Sequence, residues 1–435
     1  MSPLNIFLTT WNTGLQGSKA QSQDLTSWLL PVLQRTANDP KLPERIIPDL
    51  YVIGVQELLP VHLALAGLSR PVLSILTERI QSLLSAHATS LSSEKATSKE
   101  EYKLVSRVSH VGVALWVFAR NKTMDGKLGK DLTTSLGLWY GGMGNKSAVG
   151  VRLPVRRGEG GWEVLTFVNT HLEAHDHNIP RRNTQYHNIL TSLVFQPSDP
   201  LAEPYQIFDT SHLFIMGDLN YRLSNKPPAE HLRDSKQGDD IQLEKDRNEL
   251  VQLDTLRREQ KAGRVFVGLR EGEVGGFAPT YKRVVGQVEG YSKKRIPGWT
   301  DRILLASHTD TSDSVALSTS DTTKIIHYSS TPELTISDHK PVHAVLSLPT
   351  PSSSAIVATA PHLAPTLPSS FPRPEATSKE VIWAWRLMGM ILDRLIGWPW
   401  CVVVVLGGGN EKTGLGVGAF VAMLWGVWWS GVWSG

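Results

Sequence analysis

The chain has 435 residues, 41% of them hydrophobic and 20% charged, with 44 Lys+Arg against 41 Asp+Glu. This is enough apolar material for one large core or two ordinary domains, while a net charge of +3 is too small for a protein that coats polyanions, so any phosphate preference must come from a local cluster. The single cysteine, Cys401, excludes an intrachain disulfide and a Cys-rich zinc module and points to a reducing compartment. The opening MSPLNIFLTTWNTG lacks a basic stretch followed by an apolar one, so no secretory signal is expected.

In chain order, short runs rich in β-formers predict strands at Asn5–Thr10, Leu50–Val55, Val111–Phe118, Ala148–Leu153, Val164–Asn169, His212–Met216 and Val342–Leu346. Helical periodicity predicts helices at Val72–Ala86, Arg181–Leu193 and Asp240–Ala262. Strands interleaved with helices up to residue 348 predict sheets covered by helices rather than a helical bundle. From Pro349 to Pro374 there are seven prolines in 26 residues, so 349–379 reads as a Pro/Ser-rich linker with too few periodic apolar positions to pack. Eight of the fourteen Trp then fall in the last 55 residues, where only Arg386, Asp393, Arg394, Glu411 and Lys412 are charged, which sets 380–435 apart as a hydrophobic tail. Within it, Val381–Ile396 has the pattern of an amphipathic interfacial helix. Leu395–Gly409, interrupted by Pro399, is expected to be a partial span, and Thr413–Gly435, roughly 35 Å long as a helix, is long enough to cross a bilayer.

The residues that carry chemistry lie before 349, each where a predicted strand ends, the usual place for an α/β site. Asn12 in TWNTG and Glu57 in VQE offer a carboxamide and a carboxylate suited to a hard cation such as Mg²⁺, though a strand-terminal Asn or Glu is more often a turn residue. NTHLEAH supplies His171 and His175; the segment starts in a strand and lacks the Glu of a zinc-protease helix. GDLNYR delivers Asp218 and Asn220, two apart and so on one side of an extended chain, where an Asp can take a proton from water and an Asn can hold that water; an Asp-Leu-Asn turn is an equal alternative. Asp301 and the pair Asp338-His339 are candidates for a carboxylate that orients an imidazolium. Lys282, Arg283, Lys293, Lys294 and Arg295 form the one marked basic concentration, either a solvated face or a second phosphate site.

The ordered set TWNTG, VQE, GGMGNKSAVGVR, NTHLEAH, RRNTQY, GDLNYR, PTYKR, RIPGWTDRIL and SDHKPV resembles the inositol polyphosphate 5-phosphatases of the endonuclease/exonuclease/phosphatase superfamily. The likeness covers about residues 4–348; GDLNYR, PTYKR and WTDRIL are its most specific parts. It implies a four-layer α/β/β/α sandwich, deoxyribonuclease-I-like, over 1–348; the tail lies outside the likeness, and its composition reads either as an anchor on the cytosolic face of an endomembrane, with Arg386 and Arg394 keeping the preceding helix cytosolic, or as a poorly packed extension. The likeness implies Mg²⁺ held by Glu57 and Asn12 with Asp338 completing the metal side, Asp218 as the base with Asn220 orienting the water, and His171 and His339 on the scissile phosphate with Asp301 holding His339. Tyr281, Lys282 and Lys293, with Arg295 nearby, match the family's grip on the inositol 4-phosphate, and Asn145 and Lys146 its substrate loop. The substrates it implies are phosphoinositides such as phosphatidylinositol 4,5-bisphosphate and soluble inositol polyphosphates, with no nucleic acid. One departure is Thr300, where the family commonly has Cys; that position is not needed for metal or proton transfer. A magnesium-dependent nuclease or sphingomyelinase and a catalytically inactive lipid tether are the rival readings; the basic motifs oppose the first and the full set of catalytic groups opposes the second.

Overall fold

A computed structural model describes residues 3–15, 26–39, 46–92, 99–157, 161–199, 201–234, 240–308, 310, 322–350, 374–409, 415–419 and 422–425. The strands are β1 (Leu4–Asn12), β2 (Leu50–Gln56), β3 (Tyr102–His110), β4 (Val113–Arg120), β5 (Leu132–Gly137), β6 (Ser147–Arg157), β7 (Gly161–His171), β8 (His212–Asp218), β9 (Arg270–Glu271), β10 (Asp301–Ser307), β11 (Lys324–Ser330) and β12 (Val342–Leu348). The helices are α1 (Leu29–Ala37), α2 (Val61–Leu65), α3 (Arg70–Leu91), α4 (Asn121–Met124), α5 (Ile179–Ser192), α6 (Asp240–Gln252), α7 (Thr255–Lys261) and α8 (Lys379–Leu406).

Two six-stranded sheets form the centre, in the orders β11-β12-β1-β2-β4-β3 and β5-β6-β7-β8-β10-β9. Only β1–β2 and β7–β8 pair in parallel, and the remaining neighbours are antiparallel. Because successive side chains of a strand point to opposite faces, sheets covered on both sides must be apolar on both. In β1, Ile6 and Leu8 join Val52, Leu115, Val151, Phe167, Phe214 and Ile303 between the sheets. Phe7 and Trp11 of the same strand face outward onto Leu29, Leu73, Leu76 and Ile80 of α1 and α3. On the far side Val168, Ile215 and Leu304 pack under Tyr186, Ile189 and Leu256 of α5 and α7. Those three clusters are the interfaces of the expected four-layer sandwich.

A polar bridge crosses the inter-sheet core beneath the strand ends. Gln56 Nε2 donates to Asn169 Oδ1 at 2.6 Å, and Asn169 Nδ2 donates to the carbonyls of Val55 and Ala114 at 3.0 and 2.8 Å. Gly54 makes room for it: a Cβ there would lie 2.8 Å from the Asn169 carboxamide.

Several expectations are adjusted. Predicted strand 111–118 begins at Val113, because Val111 has φ +52° and sits in the β3–β4 turn. The helix expected over 240–262 is two helices broken at Asp254, whose carboxylate caps α7 by accepting from Leu256 N and also accepts from Arg302. Residues 381–396 and the partial span expected at 395–409 are one continuous helix, α8, with Pro399 inside it. The linker and the expected span at 413–435 lie largely outside the described residues, although 415–419 and 422–425 are helical. Ahead of α8, Thr377 N donates to Thr191 O at 2.8 Å and Gln206 Nε2 to Pro374 O at 2.9 Å, so the chain re-enters against the end of α5.

Candidate active site

Six strand ends meet on one edge of both sheets. Asn12, His171 and Asp218 end β1, β7 and β8, Glu57 follows β2, Asp301 opens β10 opposite Asp218 in the register, and His339 lies just ahead of β12. Parallel pairing within each sheet puts Asn12 beside Gln56 and His171 beside Asp218. At the strand ends a further hydrogen bond joins the sheets, Asn12 Nδ2 to Asp218 Oδ2 at 3.0 Å.

Around Asp218 the sequence-predicted residues converge. Asn220 N donates to Asp218 Oδ1 at 3.0 Å and its Nδ2 donates to Leu172 O at 3.0 Å, an arrangement that requires the left-handed backbone seen at Asn220, φ +57°. His171 Nε2 lies 3.4 Å from Asp218 Oδ2 and 3.9 Å from Glu57 Oε1, and Lys146 Nζ is 2.6 Å from the same ring nitrogen. His339 Nδ1 is 2.9 Å from Asp301 Oδ2 and its Nε2 is 3.8 Å from Asp218. Asp301 is oriented by hydroxyls, accepting from Thr280 Oγ1 at 2.7 Å and Thr300 Oγ1 at 2.9 Å. The residue that departs from the family pattern, Thr300, is thus a hydrogen-bond donor to the carboxylate that holds His339.

The two histidines titrate in opposite directions, as neighbouring acid and base groups do when their surroundings differ. Burial, reinforced by Lys146 and by His339, holds His171 well below the usual imidazole range, so it is neutral. Burial also opposes charge on His339, but Asp301 and Asp218 outweigh it and push the imidazole up to about 9. Burial raises the Asp218 carboxyl to about 6, with His339 pulling down and Asp301 pushing up.

The oxygen donors here suit a hard divalent cation. The Glu57 carboxylate makes no hydrogen bond among the described residues, Asp301 Oδ1 is buried without a partner, and Asp218, Asp301 and His339 place ligand atoms within 4.8 Å of one another. Asp338 Oδ2 accepts from Lys282, which ties this carboxylate to the basic cluster. The Tyr281 ring lies 4.6 Å from the His339 ring and 4.6 Å from the Arg222 guanidinium. Arg295 reaches His175 Nδ1 at 3.2 Å, and Lys293 lines a cleft of about 610 Å³ with Lys226, Arg233 and Tyr291. Asn145 and Lys146 close the loop that runs from Trp139, pinned by Leu138 N to Lys146 O at 2.7 Å.

Three residues escaped sequence reasoning. Arg222 stood inside GDLNYR and Thr280 inside PTYKR, so only their motif membership could have signalled them. At the opposite edge of the second sheet, Glu163 is shared by His212, His308 and Arg157 at 3.4, 3.0 and 3.3 Å, where the guanidinium already balances its charge.

A double-sheet sandwich that gathers Asn, Glu, Asp and His on one edge of both sheets defines the deoxyribonuclease-I-like class. The model of endonuclease/exonuclease/phosphatase family 2 matches residues 9–345, and the chain belongs to that family. It is 32% identical over 212 residues to type IV inositol polyphosphate 5-phosphatase 3 of Arabidopsis thaliana, covering 47% of this chain and 28% of that one. It is 25% identical over 367 residues to synaptojanin-2 of Homo sapiens, covering 79% and 22%. The chain therefore spans about a quarter of the length of these curated relatives. Among solved structures, the inositol polyphosphate 5-phosphatase domain of SPsynaptojanin, in complex with inositol (1,4)-bisphosphate and calcium ion, is 26% identical with a TM-score of 0.55, covering 80% of this chain and 84% of that one. A Cimex nitrophorin, 18% identical with a TM-score of 0.52 and covering 80% and 99%, shares the fold alone; the site, and not the fold, must carry the functional argument.

Proposed function

We propose that the chain is a Mg²⁺-dependent phosphatase that removes the 5-phosphate from phosphoinositides such as phosphatidylinositol 4,5-bisphosphate, from soluble inositol polyphosphates, or from both, by direct attack of water. The observation that carries this reading is the Asp218 cluster, with Asn12, His171 and the Asp301–His339 pair converging on one carboxylate. The likeness to a domain solved with inositol (1,4)-bisphosphate supports the substrate class.

Glu57 and Asn12 are the proposed ligands of a Mg²⁺ ion that, when bound, neutralises charge on the 5-phosphate and on the leaving inositol oxygen. Asp218 takes the proton of the attacking water, and Asn220, anchored through Leu172 O, orients that water. His339, held cationic by Asp301, stabilises the equatorial phosphoryl oxygens. His171, neutral, adds a hydrogen bond, and Lys146 beside it adds another donor. Asp338 completes the metal side and is tied to Lys282, which with Tyr281, Lys293 and Arg295 grips the 4-phosphate, while Asn145 and Lys146 form the substrate loop. No phosphoenzyme is invoked; the single cysteine, Cys401, lies in α8.

Replacement of Asp218 by Asn keeps the shape of the side chain and removes its basicity. The D218N protein is expected to fold normally and to lose about 10²–10⁴-fold in kcat for phosphate release. Release at the wild-type rate would sink the assignment. Duplex DNA assayed in parallel is expected to remain intact, and its cleavage would favour the nuclease reading instead.

We further propose that residues 1–348 are the catalytic unit, 349–379 the linker and 380–435 a tail that holds the enzyme on the cytosolic face of an intracellular membrane. One helix in that tail, Lys379–Leu406, is long and apolar enough to cross a bilayer, with mean hydropathy 1.6 over its best window. Loss of membrane association on deleting 380–435, measured by fractionation, is the expected result.

A further inference from the structure

The polar side of α8 is turned inward. Its buried residues are Ile382, Gly389, Asp393, Gly397 and Cys401, a stripe at mostly four-residue spacing that contains two glycines and a carboxylate. The glycines permit backbone contact: a Cβ on Gly389 would lie 2.0 Å from Gly142 O, and one on Gly397 would lie 2.3 Å from Ala66 N. Every charged residue between 381 and 406 is engaged by the catalytic unit. Arg386 Nη2 donates to Thr134 Oγ1 at 2.7 Å, Arg394 Nη1 donates to Leu65 O, and the two oxygens of Asp393 accept from Gly144 N at 3.1 and 3.2 Å.

Gly142 and Gly144 belong to the loop that ends in Asn145 and Lys146, and Lys146 touches His171. The helix therefore forms a wall of the substrate loop, and Asp393 fixes that loop's backbone. The opposite face of α8 is bare and apolar. Trp383, Leu395 and Trp398 are 67, 65 and 52% exposed, Val405 is 76% exposed, and Tyr140 of the same loop is 65% exposed. The one charged side chain exposed between 383 and 405 is Arg394, whose guanidinium is tied to Leu65 O, and the apolar face from Trp383 to Val405 runs about 33 Å along the helix at 1.5 Å per residue.

We propose that α8 lies in the plane of the membrane surface as a docked wall of the active site, its outer face resting on the bilayer that carries the substrate, with Asp393 as a positioning residue for the substrate loop. This deepens the 5-phosphatase reading and rests on it. The bilayer is favoured as the occupant because the face is continuous with the loop that must meet a lipid headgroup, and because it joins Trp with long aliphatic side chains as interfacial helices do. The alternative orientation, across the bilayer, would carry the charged Arg386, Asp393 and Arg394 into hydrocarbon, where such side chains are strongly disfavoured. It would also strip Gly144 N and Leu65 O of their partners.

Depth is measured on the full chain carrying Cys401→Ser, with one cysteine at a time introduced at Trp383, Leu395 or Val405 and labelled with bimane. The probe is a phosphatidylcholine vesicle with 5% phosphatidylinositol 4,5-bisphosphate and lipids brominated at defined depths. All three positions are expected at one shallow depth. A steady change in depth from 383 to 405 means a spanning helix, and absence of quenching at all three means a face covered by something other than lipid; either overturns the proposal. These measurements need no turnover, so a wild-type chain that releases no phosphate would reject the 5-phosphatase reading separately.

The coupling is read kinetically on the full chain. With inositol 1,4,5-trisphosphate as the soluble substrate, Asp393→Ala is expected to raise KM about tenfold with kcat nearly unchanged, and Asp393→Asn, which keeps an acceptor oxygen, to restore KM to within about threefold. Combined Trp383→Ser, Leu395→Ser and Trp398→Ser are expected to lower the ratio of vesicle to soluble turnover about tenfold. An unaltered KM in the Asp393→Ala protein, or an unaltered ratio in the triple variant, overturns the coupling.

Discussion

A single carboxylate, Asp218, is touched from four sides, by Asn12, Asn220, His171 and His339, and the charge state of the site follows from who touches whom. His339 is raised above its ordinary 6.5 to about 9 in the folded chain, so the protonated ring is favoured by folding. The stability this contributes is fully present below pH 6.5 and is lost as pH rises through about 9. Denaturant titrations of the metal-free protein between pH 6.5 and 9.5 are expected to show a decline on the order of 2 kcal/mol, and His339→Gln is expected to flatten it. Seven residues of this cluster, Asn12, Glu57, His171, Asp218, Asn220, Asp301 and His339, were legible in the sequence because each stands at the end of a short apolar run or in a recurring motif. Thr280 and Arg222 were not, because a threonine after a proline and an arginine after a tyrosine carry no chemical signal until the backbone brings them to Asp301 and Tyr281. The pairing of Asp338 with Lys282 was equally hidden, since it joins segments 56 residues apart.

Elements were legible where both faces of a strand are buried and obscure where charge interrupts the pattern. β3 is an edge strand with Lys103 and Arg107 among its residues. β10 opens on Asp301 and Arg302, and Arg302 is buried only because Asp254 and Glu271 neutralise it. The inward turn of the polar stripe of α8 was also beyond periodicity, which separates faces but does not say which one meets protein. Gly389 offers a test at this scale. Gly389→Val would put branched carbon where Gly142 O lies 2.0 Å from an ideal Cβ, so α8 is expected to lift. Hydrogen exchange of the amides of 385–405 should then rise about tenfold or more while those of β8 hold their protection; unchanged protection in α8 would mean that the docking does not depend on this contact.

At the scale of the molecule, the two sheets are tied by the buried amide bridge from Gln56 to Asn169 directly below the site. Asn169→Leu fills the space but strands Gln56 and the carbonyls of Val55 and Ala114, and is expected to cost about 3 kcal/mol in urea denaturation. A shift below about 0.5 kcal/mol would show that the bridge is not a structural tie. The four-layer architecture itself was legible from alternating strands and helices, whereas the strand order was not, because it depends on pairings between distant parts of the chain. That order has a consequence for synthesis. The second sheet is drawn from one uninterrupted stretch, 132–307, whereas the first takes strands from both sides of it, so that Leu4 pairs with Leu348. As the chain leaves the ribosome, the inner stretch can close on itself early, while β1 keeps an open edge until β12 emerges. His339 arrives only just ahead of that strand, so the newborn protein closes its catalytic cluster and its first sheet together, before α8 has been made.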